Sequence, residues 1–166
     1  ITLITVSGYT VSLPQEDFAG ETVVAPGESY TFEAKDKNYT YEVTATVNGE
    51  AITVTPNEDG TSFTIPEGKI NGNVVIEIAK KEGKQFEITL NGASLTHESG
   101  YTTEGEKTYV QYMTAYTAKL TEKDHYIYDL KVKVNGEIIA HDYNSETGII
   151  TIAGNLITGT VVIESG

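Results

Sequence analysis

The stretch YEVTATVNGEAI at residues 41–52 returns, at an offset of 87, as YDLKVKVNGEII at residues 128–139. Apolar and polar side chains alternate along both stretches, which predicts strands with one buried face. The alternation begins upstream, so we expect strands over residues 39–47 and 126–134. Each strand ends in Asn-Gly, the dipeptide that favours a two-residue type I′ turn, and a second apolar run follows. The repeated object is therefore a β-hairpin.

The hairpin belongs to a longer internal repeat. At the same offset the two halves share 14 identities in 28 aligned pairs, from the blocks 41–53 with 128–140 and 63–77 with 150–164. A further match, ITVSG at residues 4–8 with ITLNG at residues 88–92, extends the repeat toward the beginning of each copy. We therefore predict two tandem domains, residues 1–81 and 82–166, joined by the charged stretch at residues 80–84.

Each copy is predicted to consist of strands. About seven short runs of β-forming residues are separated by turn signals such as Asn-Gly and Thr-Gly, and the runs have no helical period. This pattern predicts an all-β fold of two tandem immunoglobulin-like β-sandwich domains. Because the chain has no cysteine, packing alone must stabilise each domain.

The charge of the chain narrows the possible partners. It carries 24 acidic side chains against 11 basic ones, all of them lysine, for a formal net charge of −13. This charge repels phosphate backbones, and the chain lacks arginine to read bases, so we expect no nucleic-acid partner. No apolar run approaches the roughly 20 residues that span a bilayer, so we expect no membrane insertion. We also predict no cofactor.

The residues 39–78, YTYEVTATVNGEAITVTPNEDGTSFTIPEGKINGNVVIEI, resemble the tandem bacterial immunoglobulin-like repeats of secreted or cell-wall-anchored proteins from gut Firmicutes. The resemblance covers most of the first copy and, more loosely, the second. It implies an extracellular or cell-surface location, in which the chain is a monomeric part of a longer modular protein. It does not imply an activity, because such repeats serve as spacers, adhesins and appendages to carbohydrate-active enzymes. We predict a non-catalytic structural or adhesive role as a stalk or spacer, with an accessory domain of a carbohydrate-active enzyme as the weaker alternative.

Catalytic and metal-binding residues are poorly represented. His97, His125 and His141 all lie in the second copy, and Asp124 or Asp142 could orient two of them, but no nucleophile elbow accompanies them. We therefore predict that the protein is not an enzyme. Acidic loop residues have no recognised calcium-loop spacing, so no metal site is predicted, and calcium binding by those loops stays an open alternative.

The best functional signal is a run of tyrosines at residues 100–117, GYTTEGEKTYVQYMTAYT. A strand starting near Thr108 would place Val110, Tyr112, Tyr116, Ala118 and Leu120 on a core face and Tyr109, Gln111 and Met113 on the opposite face. Exposed tyrosine beside glutamine and methionine can stack a sugar ring or anchor a protein. The alternative function is thus an adhesin module whose second domain recognises a glycan or a host protein such as immunoglobulin. Its predicted ligand-binding residues are Tyr101, Tyr109, Gln111, Tyr112 and Met113.

Overall fold

The computed structural model describes residues 8–166, and the chain divides after Glu82 into two compact units. The described residues form strands, turns and loops, with one short 3-10 turn at Gly154–Leu156. The predicted all-β sandwich class is therefore confirmed. No helix in this part of the chain is long and apolar enough to cross a membrane. We refer to the parts before and after the division as unit 1 and unit 2 and describe each by itself.

Unit 1 contains two sheets. Their orders are β3-β1-β9-β5-β6 and β2-β4-β8-β7. The strands are β1 (Tyr9–Ser12), β2 (Phe18–Ala19), β3 (Val23–Val24), β4 (Tyr30–Ala34), β5 (Tyr39–Val47), β6 (Glu50–Ile52), β7 (Thr55–Pro56), β8 (Ser62–Ile65) and β9 (Val74–Gly83).

Unit 2 also contains two sheets, with orders β12-β13-β10-β19-β15-β16 and β11-β14-β18-β17. The described residues thus form more strands than the predicted seven per copy, because loops contribute two- and three-residue edge strands. The strands are β10 (Gln85–Asn91), β11 (Leu95–Ser99), β12 (Tyr101–Glu104), β13 (Lys107–Gln111), β14 (Tyr116–Leu120), β15 (Leu130–Val134), β16 (Glu137–Ile138), β17 (Asp142–Asn144), β18 (Ile149–Ile152) and β19 (Val161–Ser165).

The two cores follow from the alternation of apolar side chains along the strands. In β4 and β14 every second residue is buried, and in β15 Val132 and Val134 are buried as the sequence predicts. Unit 1 adds stacked rings, with the centroids of Phe32 and Phe63 5.6 Å apart. Each large apolar side chain buried in this way contributes about 1.5–3 kcal/mol to stability.

The last strand of each unit pairs on both sides. In unit 1, β9 lies between β1, with which it is parallel, and β5. In unit 2, β19 lies between β10, to which it is parallel from Ile88↔Val161 to Asn91↔Glu164, and β15, to which it is antiparallel. A strand bonded to neighbours on both edges exposes no free backbone edge and ties distant parts of the chain together.

The repeated hairpin turns have the predicted geometry. Asn48 and Gly49 have φ of 53° and 80°, and Asn135 and Gly136 have φ of 49° and 82°. Positive φ at both central residues defines the type I′ turn, which matches the twist of the flanking strands. The prediction of two Asn-Gly hairpins is confirmed.

The asparagine of each turn also contacts the glycine that precedes the last strand. Asn135 Oδ1 accepts a hydrogen bond from the Thr160 backbone N–H at 3.2 Å, and a Cβ atom on Gly159 would lie 2.1 Å from that oxygen. In unit 1 a Cβ on Gly72 would lie 2.5 Å from Asn48 Oδ1. Glycine is therefore required at both positions because the asparagine side chain fills the space of a Cβ. This contact fixes where the last strand begins.

One predicted strand begins four residues too early. In unit 1, β5 covers the predicted residues 39–47, but in unit 2 β15 begins at Leu130 instead of Tyr126. The partner strand β19 ends at Ser165, and a final pair of backbone bonds joins Asp129 and Gly166 at 3.0 Å. Residues 126–128 are not part of any strand in the described part of the chain. In addition, most of the predicted joining stretch is strand, since β9 continues to Gly83 and β10 begins at Gln85.

We expect Gly159→Ala to destabilise unit 2 by about 1–3 kcal/mol, because the added methyl group overlaps the Asn135 side chain. Asn135→Gly removes that side chain, keeps positive φ accessible and loses one hydrogen bond, at a cost of about 1 kcal/mol. In the double variant the cost of Gly159→Ala should fall by more than half, as measured by thermal unfolding followed through the amide signals of β19. An equal cost in both backgrounds would contradict the contact.

Candidate functional site

The predicted ligand-binding residues lie on the hairpin β12–β13 and the turn that follows it. A shallow depression of about 200 Å³ is bordered there by Tyr101, Tyr109 and Gln111, together with Gln85, Thr102 and Thr114. Tyr101 is 40% exposed, and Tyr109 and Gln111 are half-buried. The structure therefore brings three of the five predicted residues to one depression.

The strand register divides these residues between two faces. Tyr109 lies opposite Thr102 on β12 and opposite Glu87 on β10, while Gln111 lies opposite Gln85. Directly opposite residues share a face of the sheet, so these side chains form one polar surface, as the sequence predicts for Tyr109 and Gln111. Tyr101 lies opposite the buried Val110, on the other face, and only borders the depression.

The single strand predicted from Thr108 through Leu120 is wrong. β13 ends at Gln111, and the chain resumes at Tyr116 in the other sheet, although Val110 and Tyr116 are both buried as predicted. Tyr112 and Met113 lie in the turn between the strands and do not line the depression. The structure therefore does not bring these two predicted residues to the depression.

The turn is fixed by backbone contacts that hydrophobic periodicity does not reveal. The Met113 N–H donates to the Gly154 carbonyl at 2.9 Å, and a Cβ on Gly154 would lie 2.4 Å from the Met113 carbonyl carbon. Met113 has φ of 67°, a left-handed conformation that costs a residue other than glycine about 1–2 kcal/mol. Its side chain is 54% exposed. Of the two predicted residues that do not line the depression, Met113 has the more exposed side chain, and strained turns of this kind often occur at binding sites.

His97 contacts both the buried Tyr116 and Tyr101, which borders the depression. Its Nδ1 atom lies 2.7 Å from the Tyr116 hydroxyl, and its ring centroid lies 5.0 Å from that of Tyr101. Burial lowers the pKa of His97 below its usual 6.5 and, with the nearby Tyr101, raises the pKa of Tyr116. Both groups are therefore neutral near pH 7, which suits a structural hydrogen bond. In unit 1 the corresponding Tyr30 hydroxyl donates to the Glu21 carbonyl at 2.5 Å.

Other candidate sites would be a metal-binding group or a further depression. The part of the chain described, residues 8–166, contains no group of three or more His, Cys, Asp and Glu side chains that could hold a metal ion. A larger depression, of about 670 Å³, lies on unit 1 and not at the predicted site. It is bordered by Gln15, Glu21, Glu33, Lys35 and Ser62, so its surface is polar and mixed in charge.

Comparison with known proteins adds no relative to this description. No family model, no curated protein and no solved structure matches the chain. A function has to be argued from the residues and strands themselves.

We expect the stability of unit 2 to depend on the protonation of His97. The pKa of His97 is lower in the folded chain than in the unfolded chain. Below about pH 6.5 the unfolded state therefore binds more protons than the folded state, and the free energy of unfolding of unit 2 decreases as the pH falls. His97→Gln should remove that part of the pH dependence between pH 6.5 and 5, whereas the control His141→Gln should retain it. Thermal unfolding of both variants at several pH values tests this, and identical slopes would contradict it.

Proposed function

We propose that the chain is a non-catalytic structural repeat of a bacterial cell-surface protein, in which it acts as a stalk or spacer. The observation that supports this role is the parallel pairing of the first and last described strands of each unit. In unit 2, β10 and β19 are parallel over four residue pairs, and in unit 1 β1 and β9 are parallel at Val11↔Val74 and Ser12↔Val75. Parallel neighbours begin at the same end of the sheet. In unit 2 the chain therefore enters the sheet at one end and leaves it at the other.

This arrangement suits a protein that is pulled along its chain. Force applied to both ends of a unit slides β10 and β19 past each other, so their hydrogen bonds share the load. Opening the same strands from one end would break the bonds one after another. When the object carried by a surface stalk is pulled, the force acts on the two ends of each unit and loads β10 and β19 in shear.

The composition and the cores are also suited to a spacer. Each unit has its own cluster of buried apolar residues, and the chain has no cysteine with which to form a disulfide. The net charge of −13 keeps a repetitive surface protein soluble and disfavours self-association. In this proposal the protein is extracellular and remains monomeric as part of a longer chain.

We expect unit 2 to resist force far better in shear than in opening. Because the chain has no cysteine, attachment points can be added at will. Lys84→Cys with Gly166→Cys loads β10 against β19 in shear, and Lys84→Cys with Thr160→Cys opens the same pair from one end. Single-molecule pulling should give a several-fold higher unfolding force for the first pair. Equal forces would contradict the mechanical role.

The second candidate function is an adhesin that binds a glycan or a host protein such as immunoglobulin through unit 2. Its support is the polar face formed by Tyr109 and Gln111, whose depression Tyr101 borders from the other face of the sheet. Tyrosine offers a large contact area together with a hydroxyl that can bond a sugar or a backbone group. The depression is shallow, so any affinity would come from stacking and rim contacts.

A binding screen of the full chain against mucin glycans, plant polysaccharides and host immunoglobulins tests this candidate. If unit 2 is an adhesin, Tyr109→Ala should weaken binding about tenfold or more, while Tyr143→Ala, which alters an exposed tyrosine on β17, should leave it unchanged. Binding that survives Tyr109→Ala would contradict the assigned face. Absence of binding would leave the stalk as the supported role.

A further inference from the structure

Unit 2 extends one edge of its larger sheet that the described part of unit 1 keeps short. In unit 1 the strand at this edge is β3, which has two residues and pairs with β1. Pro26 follows β3 closely and cannot donate a backbone hydrogen bond. In unit 2 the corresponding strand is β13, which pairs with β10, and the further strand β12 pairs with β13 and forms the edge.

The edge strand β12 lacks the features that usually keep sheet edges from pairing. Proteins commonly protect such edges with lysine, proline or a bulge. The four residues of β12 include neither lysine nor proline, and their register with β13 is regular over four consecutive pairs. Tyrosine and threonine favour extended backbone. All four residues are exposed, namely Tyr101, Thr102, Thr103 and Glu104.

The register of the neighbouring strands decides which way each backbone group of β12 points. The Tyr112 N–H donates to the Lys84 carbonyl at 3.0 Å, at the junction of β13 and β10. Because hydrogen-bonded and non-hydrogen-bonded pairs alternate, Val110 also bonds to β10, and Tyr109 bonds to the opposite neighbour. That neighbour is Thr102 on β12.

The same alternation continues along β12. Thr102 and Glu104 direct their N–H and C=O groups toward β13, so Tyr101 and Thr103 direct theirs away from the sheet. These two residues present two donors and two acceptors in one line. An added strand bonds to an arrangement of this kind.

The side chain of Tyr101 offers an apolar contact beside these groups. It lies opposite the buried Val110, and its ring centroid is 5.0 Å from that of His97. The contact with His97 holds the ring in place, and 40% of the tyrosine remains exposed. An apolar side chain on an added strand would therefore cover the ring and remove apolar surface from water.

The charge around β12 indicates what kind of strand fits. Glu98 precedes the strand, Glu104 belongs to it and Glu106 follows it, and all three are exposed. Among the described residues no ion pair includes any of them. Lys107, which lies opposite Glu104, is ion-paired with Glu87 at 3.4 Å. The edge is therefore negative, and a chain with a net charge of −13 is poorly suited to pair there with a copy of itself.

We propose that β12 is a docking edge for an extended, positively charged segment of a partner protein. The segment pairs as an additional strand with the backbone of Tyr101 and Thr103. Apolar and basic side chains alternate along it, so that the apolar ones lie beside Tyr101 and the basic ones beside Glu104. Backbone hydrogen bonds supply the affinity, and charge selects the partner. This docking requires neither the stalk role nor the polar face of Tyr109, so it can fail or succeed independently of both.

The test is amide hydrogen exchange of the full chain at increasing concentrations of the peptide acetyl-Lys-Val-Lys-Val-Lys-Val-amide. At saturation we expect exchange at Tyr101 and Thr103 to slow about tenfold or more, because their N–H groups gain acceptors. Exchange at β16, the short strand at the other edge of the same sheet, should stay unchanged. The control peptide acetyl-Glu-Val-Glu-Val-Glu-Val-amide has the same strand propensity and the opposite charge, and it should cause no slowing.

Two variants separate the backbone pairing from the charge. Thr103→Pro removes an outward N–H and leaves the pairing with β13 intact, so it should weaken binding of the basic peptide about tenfold. Glu104→Gln should weaken binding about twofold to fivefold at low salt and reduce its dependence on salt concentration. The matched control Glu137→Gln, which changes an exposed carboxylate on β16, should leave binding unchanged.

Three results would overturn the proposal. They are unchanged exchange at Tyr101 and Thr103 with the basic peptide, equal slowing with both peptides, and undiminished binding by Thr103→Pro. Slowing at these amides in the chain alone, increasing with protein concentration, would show that a second copy occupies the edge and would also overturn it. Exchange at β19 reports on the fold of unit 2 in the same experiment, so an unfolded variant is recognised directly. In that case the comparison of the two peptides on the unsubstituted chain decides.

Discussion

The pairing of the last strand on both of its edges is the constraint on which each unit depends. In unit 2, β19 joins the parallel β10 to the antiparallel β15, and its buried Val161 and Ile163 point into the core. The same strand therefore connects the beginning of the unit, its repeated hairpin and its apolar interior. In a protein without disulfides, this strand holds distant parts of the unit together. Its removal would expose two strand edges and one face of the core.

The beginning of the last strand is set by a second contact. Its beginning is fixed by the contact of Asn135 with Gly159 and Thr160, which couples a hairpin turn to the start of the strand. The parallel pairing that supports a mechanical role is made by the same strand.

Local signals in the sequence were sufficient for most of the fold. Alternation and Asn-Gly predict the hairpins because both act between neighbours in the chain, and they also place Val132 and Tyr116 in the cores. The same alternation places the start of β15 at Tyr126, whereas the strand begins at Leu130. For the candidate site, period two correctly groups Tyr109 with Gln111 but extends one strand too far. The turn at Met113 depends on Gly154, some forty residues away, and no local pattern contains that contact.

Native-state hydrogen exchange along unit 2 tests the central claim most directly. If β19 holds the unit together, the amides of Val161–Ser165 that bond to β10 and β15 should exchange only through global unfolding of the unit, with the same free energy as its denaturation. The edge strands β12, β16 and β17 should exchange through local opening at lower free energy. Exchange of β19 by local opening while β14 and β18 remain protected would contradict this account of the fold.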